Sequence, residues 1–189
     1  MRRLSLPVIQ KIMTANRNMP YLLITMGLVI LFKYLFTIAD NDSLFFLLKP
    51  TDIFIEILTA TKSVYLANSG YYHEKLNIII DKSCSGFNFW LICFVMLIYL
   101  FLKYSDKNLR KFLAIPIALF ISYLLTLFVN TSRIFASIII QNQTKSIQEN
   151  WQHIIHEAIG IITNLTFLII VYYITEKYIK HRQQHAKLT

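Results

Sequence analysis

Residues 112–140 read FLAIPIALFISYLLTLFVNTSRIFASIII, and Arg133 is the one charge in the run. An apolar stretch longer than about 18 residues marks a helix whose solvent is hydrocarbon, where each backbone polar group must be satisfied within the segment. At 1.5 Å per residue the run exceeds a hydrocarbon layer of about 30 Å, so it has to tilt, bend or project beyond it. Working outward, the same reading applies to 20–38, 86–103 and 154–175, with polar connections at 104–111 and 141–153 and a polar tail at 176–189. The 86–103 span is short and is completed by Lys103, whose long stem can snorkel. Lys33 interrupts the first run, which suits a retained signal anchor better than a cleaved leader. The composition agrees. With 56% hydrophobic residues and 4 glycines among 189, the chain has too little polar surface for a water-soluble globule. No Gly-, Ser- or Pro-rich linker divides it, so one membrane domain is expected.

The segment 39–83 is different. Asp52, Glu56, Thr59 and Ser63 share one helical face, and Phe54, Ile57, Leu58, Thr61 and Tyr65 line another. Burying Asp52 and Glu56 at mid-bilayer would cost about 2.5–3.5 kcal/mol each. The spacing therefore predicts an amphipathic helix over 51–66 lying on the membrane surface. Ser69-Gly70 then turns the chain, and Leu76, Ile78 and Ile80 alternate with polar residues in a short extended segment. The expected fold is an all-α integral membrane protein, with four transmembrane helices and an interfacial amphipathic helix on the outer face.

The formal charge of +9 reads as topology rather than as a nucleic-acid surface, since no soluble module is present to hold a duplex. With residues 1–19 inside, twelve of the nineteen basic residues fall on the inner side: Arg2, Arg3, Lys11 and Arg17, then Lys103, Lys107, Arg110 and Lys111, then Lys177, Lys180, Arg182 and Lys187. That asymmetry predicts an N-in, C-in protein of the cytoplasmic (inner) membrane.

Topology assigns depths. Cys84 sits just before the second span, at its outer end. Counting about 20 residues from Lys111 brings the third span to the same level near Arg133. His156 opens the fourth span from outside. Three distant segments thus deliver a thiol, a guanidinium and an imidazole to one level, which would put an active site on the outer, periplasmic side. Cys84 lies in the polar stretch Asp81-Lys82-Ser83-Cys84-Ser85-Gly86 at a helix start, where a thiolate is favoured. Cys93, among Ile92, Phe94 and Val95, reads as a small buried hydrophobe. Asn130 precedes Arg133 by three residues on the same face and is expected to orient it. Gly160, one turn below His156, permits close helix approach. His153 shares the face of His156, so the base could be either. Zinc on Cys84, His153 and His156 lacks a good fourth ligand, and neither metal nor cofactor is expected.

Cys84-Ser85-Gly86, Asn130-Thr131-Ser132-Arg133, and His156 with Gly160 resemble the exosortase/archaeosortase family, which carries Cys, Arg and His in this order on successive membrane helices. The likeness runs from about Asp81 to Gly160, and the short chain with its Asp-Lys-Ser-Cys-Ser-Gly-Phe-Asn-Phe-Trp stretch looks most like the compact exosortase K type. Larger family members have additional N-terminal spans. The resemblance implies a cysteine peptidase/transpeptidase that processes exported, membrane-anchored proteins bearing a C-terminal sorting signal. In that mechanism Cys84 is the nucleophile, His156 the general acid/base and Arg133 the oxyanion donor, while Asn130, Ser85, Gly86 and Gly160 support them. The acyl acceptor is unknown. The alternative is a non-catalytic membrane scaffold or assembly factor. A transporter would need polar residues further down the spans, and a thiol oxidoreductase would need a Cys-x-x-Cys pair.

Overall fold

The computed structural model describes residues 6–105, 107–143 and 149–188, and the side chains of 17–105, 107–140 and 157–185. Among the described residues there are five α-helices: α1 Leu6–Ile38, α2 Phe45–Thr59, α3 Phe87–Lys103, α4 Asn108–Gln143 and α5 Glu149–Leu188. Among the described residues, four stretches are long and apolar enough to cross a membrane: Arg17–Ile38, Lys82–Lys103, Asn108–Ile140 and Glu157–His185. They are compatible with a multi-pass membrane protein.

α3 lies at the centre. Its Cys93, Phe94, Leu97, Ile98 and Leu102 are buried and pack against Ala114, Ile115, Ala118 and Val129 of α4. The two alanines keep those backbones close, as small residues do where hydrocarbon supplies no hydrophobic drive. α1 and α5 each pack on α3 and α4 and make little contact with each other. Outward faces are apolar: Leu23, Ile30, Phe120, Phe128, Ile161 and Leu165 are all exposed. A water-soluble monomer does not expose so large an apolar area. At one end, Glu176 of α5 accepts from Lys103 Nζ (3.0 Å) and Tyr104 Oη (2.7 Å), and Gln183 Nε2 donates to the Tyr104 carbonyl (2.8 Å). There, too, the buried Lys111 reaches Asn18 of α1, whose amide donates to the Leu102 carbonyl.

The other end departs from the all-α expectation. Between α2 and α3 the chain forms a three-stranded antiparallel sheet in the order β1 (Val64–Leu66), β2 (Gly70–His73), β3 (Ile78–Ile80). Val64 faces Tyr72, and Tyr71 faces Ile80. Gly70 has φ +104°, and a Cβ there would stand 2.3 Å from the Ile80 carbonyl oxygen, so the turn at Ser69-Gly70 needs glycine. Tyr71 and Ile80 join Leu48 and Ile55 of α2 and Ile134 and Ile138 of α4 in a second apolar cluster. The excess length of α4 is thereby explained, because its later turns form the wall on which α2 and the sheet rest.

The helix expected over 51–66 runs instead over Phe45–Thr59. It ends where Ala60 turns left-handed (φ 51°), and residues 64–66 are strand. Its polarity is also reversed relative to a helix with its charged face in water. Asp52 is fully buried, whereas Ile53, Phe54, Ile57 and Leu58 are exposed. Asp52 faces inward because partners wait there. Its Oδ2 takes Lys49 Nζ at 3.0 Å, and its Oδ1 lies 3.1 Å from Nε2 of the equally buried His73. His73 Nδ1 in turn meets Thr61 Oγ1 at 3.2 Å.

Candidate active site

The segment before α3 is built around Asp81. Its carboxylate accepts from the Ser83 amide (3.0 Å), the Ser83 hydroxyl (2.6 Å) and the Cys84 amide (3.3 Å). These bonds fold Lys82–Cys84 into a single 3-10 turn. Lys82 moors that turn to the end of α1. Its amide donates to Asn41 Oδ1 (2.7 Å), its ammonium donates to the carbonyls of Thr37 (3.1 Å) and Ala39 (2.8 Å), and it lies over the Phe36 ring. A lysine is well suited there, since the last carbonyls of a helix lack intrahelical partners. Gly86 then starts α3 in the left-handed region (φ +70°), and the buried Ser85 accepts from the Phe87 amide at 3.4 Å. Cys84 thus sits one short turn ahead of α3.

Asn130 holds this segment against α4. Its Nδ2 donates to the Cys84 carbonyl at 2.5 Å, and a Cβ on Gly86 would come within 3.0 Å of the Asn130 side chain. Asn130 was expected to orient Arg133; its amide instead fixes the backbone of the cysteine turn, because the two face each other across the α3–α4 contact. Arg133, three residues on, extends toward α5. Its Cδ and Nη1 lie 3.6 and 3.8 Å from where a Gly160 Cβ would be. Gly160 thus lies in van der Waals range of the Arg133 side chain, at distances that a Cβ would also meet without a clash. Among the described residues, the buried Arg133 Nε has no hydrogen-bond partner.

These residues border a cavity of about 490 Å³ lined by Asp81, Ser83, Gly86, Asn88, Arg133 and Asn164, among others. Ser83, Ser85 and Arg133 reach its wall. Cys84 does not. Its side chain is packed against the second apolar cluster, with Sγ 3.8 Å from the Ser83 hydroxyl. Compared with family models, with curated proteins and with solved structures, the chain matches none. The reading of the site therefore rests on its own residues.

The structure brings together Cys84, Ser85 and Gly86 from the segment before α3, Asn130 and Arg133 from α4, and Gly160 from α5. His156 and His153 belong to α5, with His156 one turn before Gly160, but their side chains lie outside the described residues. Among the described residues, no group of three or more His, Cys, Asp and Glu side chains is arranged to hold a metal ion. Two further polar residues border the cavity without having been anticipated. Asn164 follows Gly160 by four residues, so the series 156, 160, 164 on one helical face was the available signal. Asn88 Oδ1 accepts from Lys33 Nζ at 2.8 Å, which gives the lysine inside the first apolar run a partner.

Proposed function

We propose that the chain is a multi-pass membrane protein, oriented N-in and C-in, that acts as a cysteine peptidase/transpeptidase of the exosortase kind at the outer membrane face. One observation carries the reading: a guanidinium from an apolar helix, Arg133, lies on a cavity wall beside the cysteine turn, and its Nε has no partner among the described residues. Such a group suits an oxygen that gains negative charge during reaction. In this scheme His156 takes the proton of Cys84, and the thiolate attacks a carbonyl of the substrate backbone. Arg133 donates to the resulting oxyanion. Collapse forms a thioester and expels the amine, which receives its proton from His156. An amine, hydroxyl or water then attacks the thioester and regenerates the thiol. The substrate would be an exported protein held by a C-terminal sorting signal in the same bilayer. For the attack, the Cys84 side chain has to turn from the apolar cluster toward the cavity.

The direct test follows C-terminally tagged candidate substrates in cells carrying the wild-type chain, Cys84→Ala or Cys93→Ala. The reading expects uncleaved protein to accumulate only with Cys84→Ala. Arg133→Gln should then slow processing by about 100-fold or more, the usual cost of losing an oxyanion donor. A second reading, a non-catalytic membrane scaffold, is favoured by the packing of Cys84 in an apolar cluster. It predicts normal function in both cysteine variants, and that result would end the peptidase reading.

A further inference from the structure

The last turns of α5 carry another set of ligating side chains, remote in sequence from the cavity residues. His181 and His185 stand one helical turn apart, their ring centroids are 4.4 Å apart, and Nε2 faces Nε2 at 3.2 Å. Two nitrogens at that separation match a single metal ion. With metal–nitrogen bonds of about 2.0–2.1 Å, the angle subtended at the ion is about 100°, between a right angle and the tetrahedral value. A pair of histidines at i and i+4 on one helical face is the simplest chelate a helix can offer.

The helix presenting them is held in place. Gln183, between the two histidines, is bonded to the Tyr104 carbonyl, and Glu176 takes Lys103, Tyr104 and Lys180. The donor pair is therefore carried on a segment already tied to the α3–α4 connection. Its surroundings decide the class of ion. Among the described residues, the side chains adjoining the pair in sequence are Tyr178, Lys180, Arg182 and Gln184, and the acid nearest in sequence, Glu176, is engaged by three donors. Magnesium and calcium require oxygen ligands. Imidazole donors suit copper, nickel or zinc.

We propose that His181 and His185 form a bidentate site for one divalent transition-metal ion, with its remaining positions open to water or an exogenous donor. The proposal is independent of the peptidase reading. The test uses the full chain, purified in detergent through a histidine-free tag and titrated with Cu²⁺, Ni²⁺, Zn²⁺ and Mg²⁺ against a chromogenic chelator. The wild-type chain should bind one equivalent that both His181→Ala and His185→Ala lose or weaken at least 10-fold. Cu²⁺ should bind most tightly and Mg²⁺ not at all. Both histidines are solvent-exposed, and an unchanged thermal midpoint would show that the variants remain folded. Equal binding by wild type and both variants would overturn the site. One ion shared by two chains would overturn its open, single-chain form.

Discussion

Asp52 holds a carboxylate in a fully buried position among donors from several directions. Burial alone would raise its pKa, but the neighbouring His73, Ser63 and Lys49 outweigh it and hold the carboxyl below the ordinary range. A carboxyl depressed in the folded state stabilises the fold above the unfolded value of about 3.9. That contribution is lost as pH falls through the folded value. Asp52→Ala, which strands His73 and Lys49, should cost about 3–5 kcal/mol at neutral pH. Thermal unfolding in detergent should show the gap between wild type and variant closing on acidification below about pH 4. Glu56, held low chiefly by the Ser63 amide, titrates in the same sense and persists in the variant. A gap that stays constant with pH would remove Asp52 as its source. The sequence does show that Asp52, Glu56, Thr59 and Ser63 share a periodicity. It does not show that Asp52 turns inward, because His73 is twenty-one positions away and polarity marks an outward face only where water is the solvent.

At the scale of elements, legibility followed length. The four apolar runs are readable as helices because each continues well past the length of a strand. The strands were not, since β1, β2 and β3 are three or four residues long, too short for alternation to register. Only the alternation at 76–80 and the Ser69-Gly70 turn carried a signal. The end of α2 was misjudged for a related reason. Apolar spacing continues past Thr59, while the chain stops at Ala60, which adopts the left-handed conformation without being glycine. That conformation costs an L-residue about 1–2 kcal/mol. Ala60→Gly should therefore raise the thermal midpoint, with a net gain of up to about 1 kcal/mol after the greater freedom of glycine in the unfolded chain. An unchanged or lower midpoint would mean that Ala60 is not strained. In the candidate site, order along the chain and helical depth put Cys84, Arg133 and His156 at one level. The structure places Arg133 beside Gly160 and near the cysteine turn, and the His156 side chain lies outside the described residues. The hydrogen bond from Asn130 to the Cys84 carbonyl needed the close approach of two helices, which no spacing within α4 encodes.

For the whole molecule, the proposed topology puts the sheet and α2 on one side of the membrane and the Glu176 cluster on the other. Single-cysteine chains, with Cys84 and Cys93 otherwise replaced, test this directly in intact cells. Ser69→Cys should react with an impermeant maleimide from outside, and Gln184→Cys only after permeabilisation. The opposite pattern would invert the orientation. A chain that keeps only Cys93, whose side chain is completely buried, should stay unlabelled in both preparations until it is denatured.

Lys82 spends its amide and its ammonium on Asn41, Thr37 and Ala39, at and just beyond the end of α1. The first helix is for that reason not an interchangeable anchor. A foreign apolar helix of equal length could supply the two backbone carbonyls, but it would not by itself aim them at the ammonium. The cysteine turn would then lose its berth while every residue of α3, α4 and α5 remained in place.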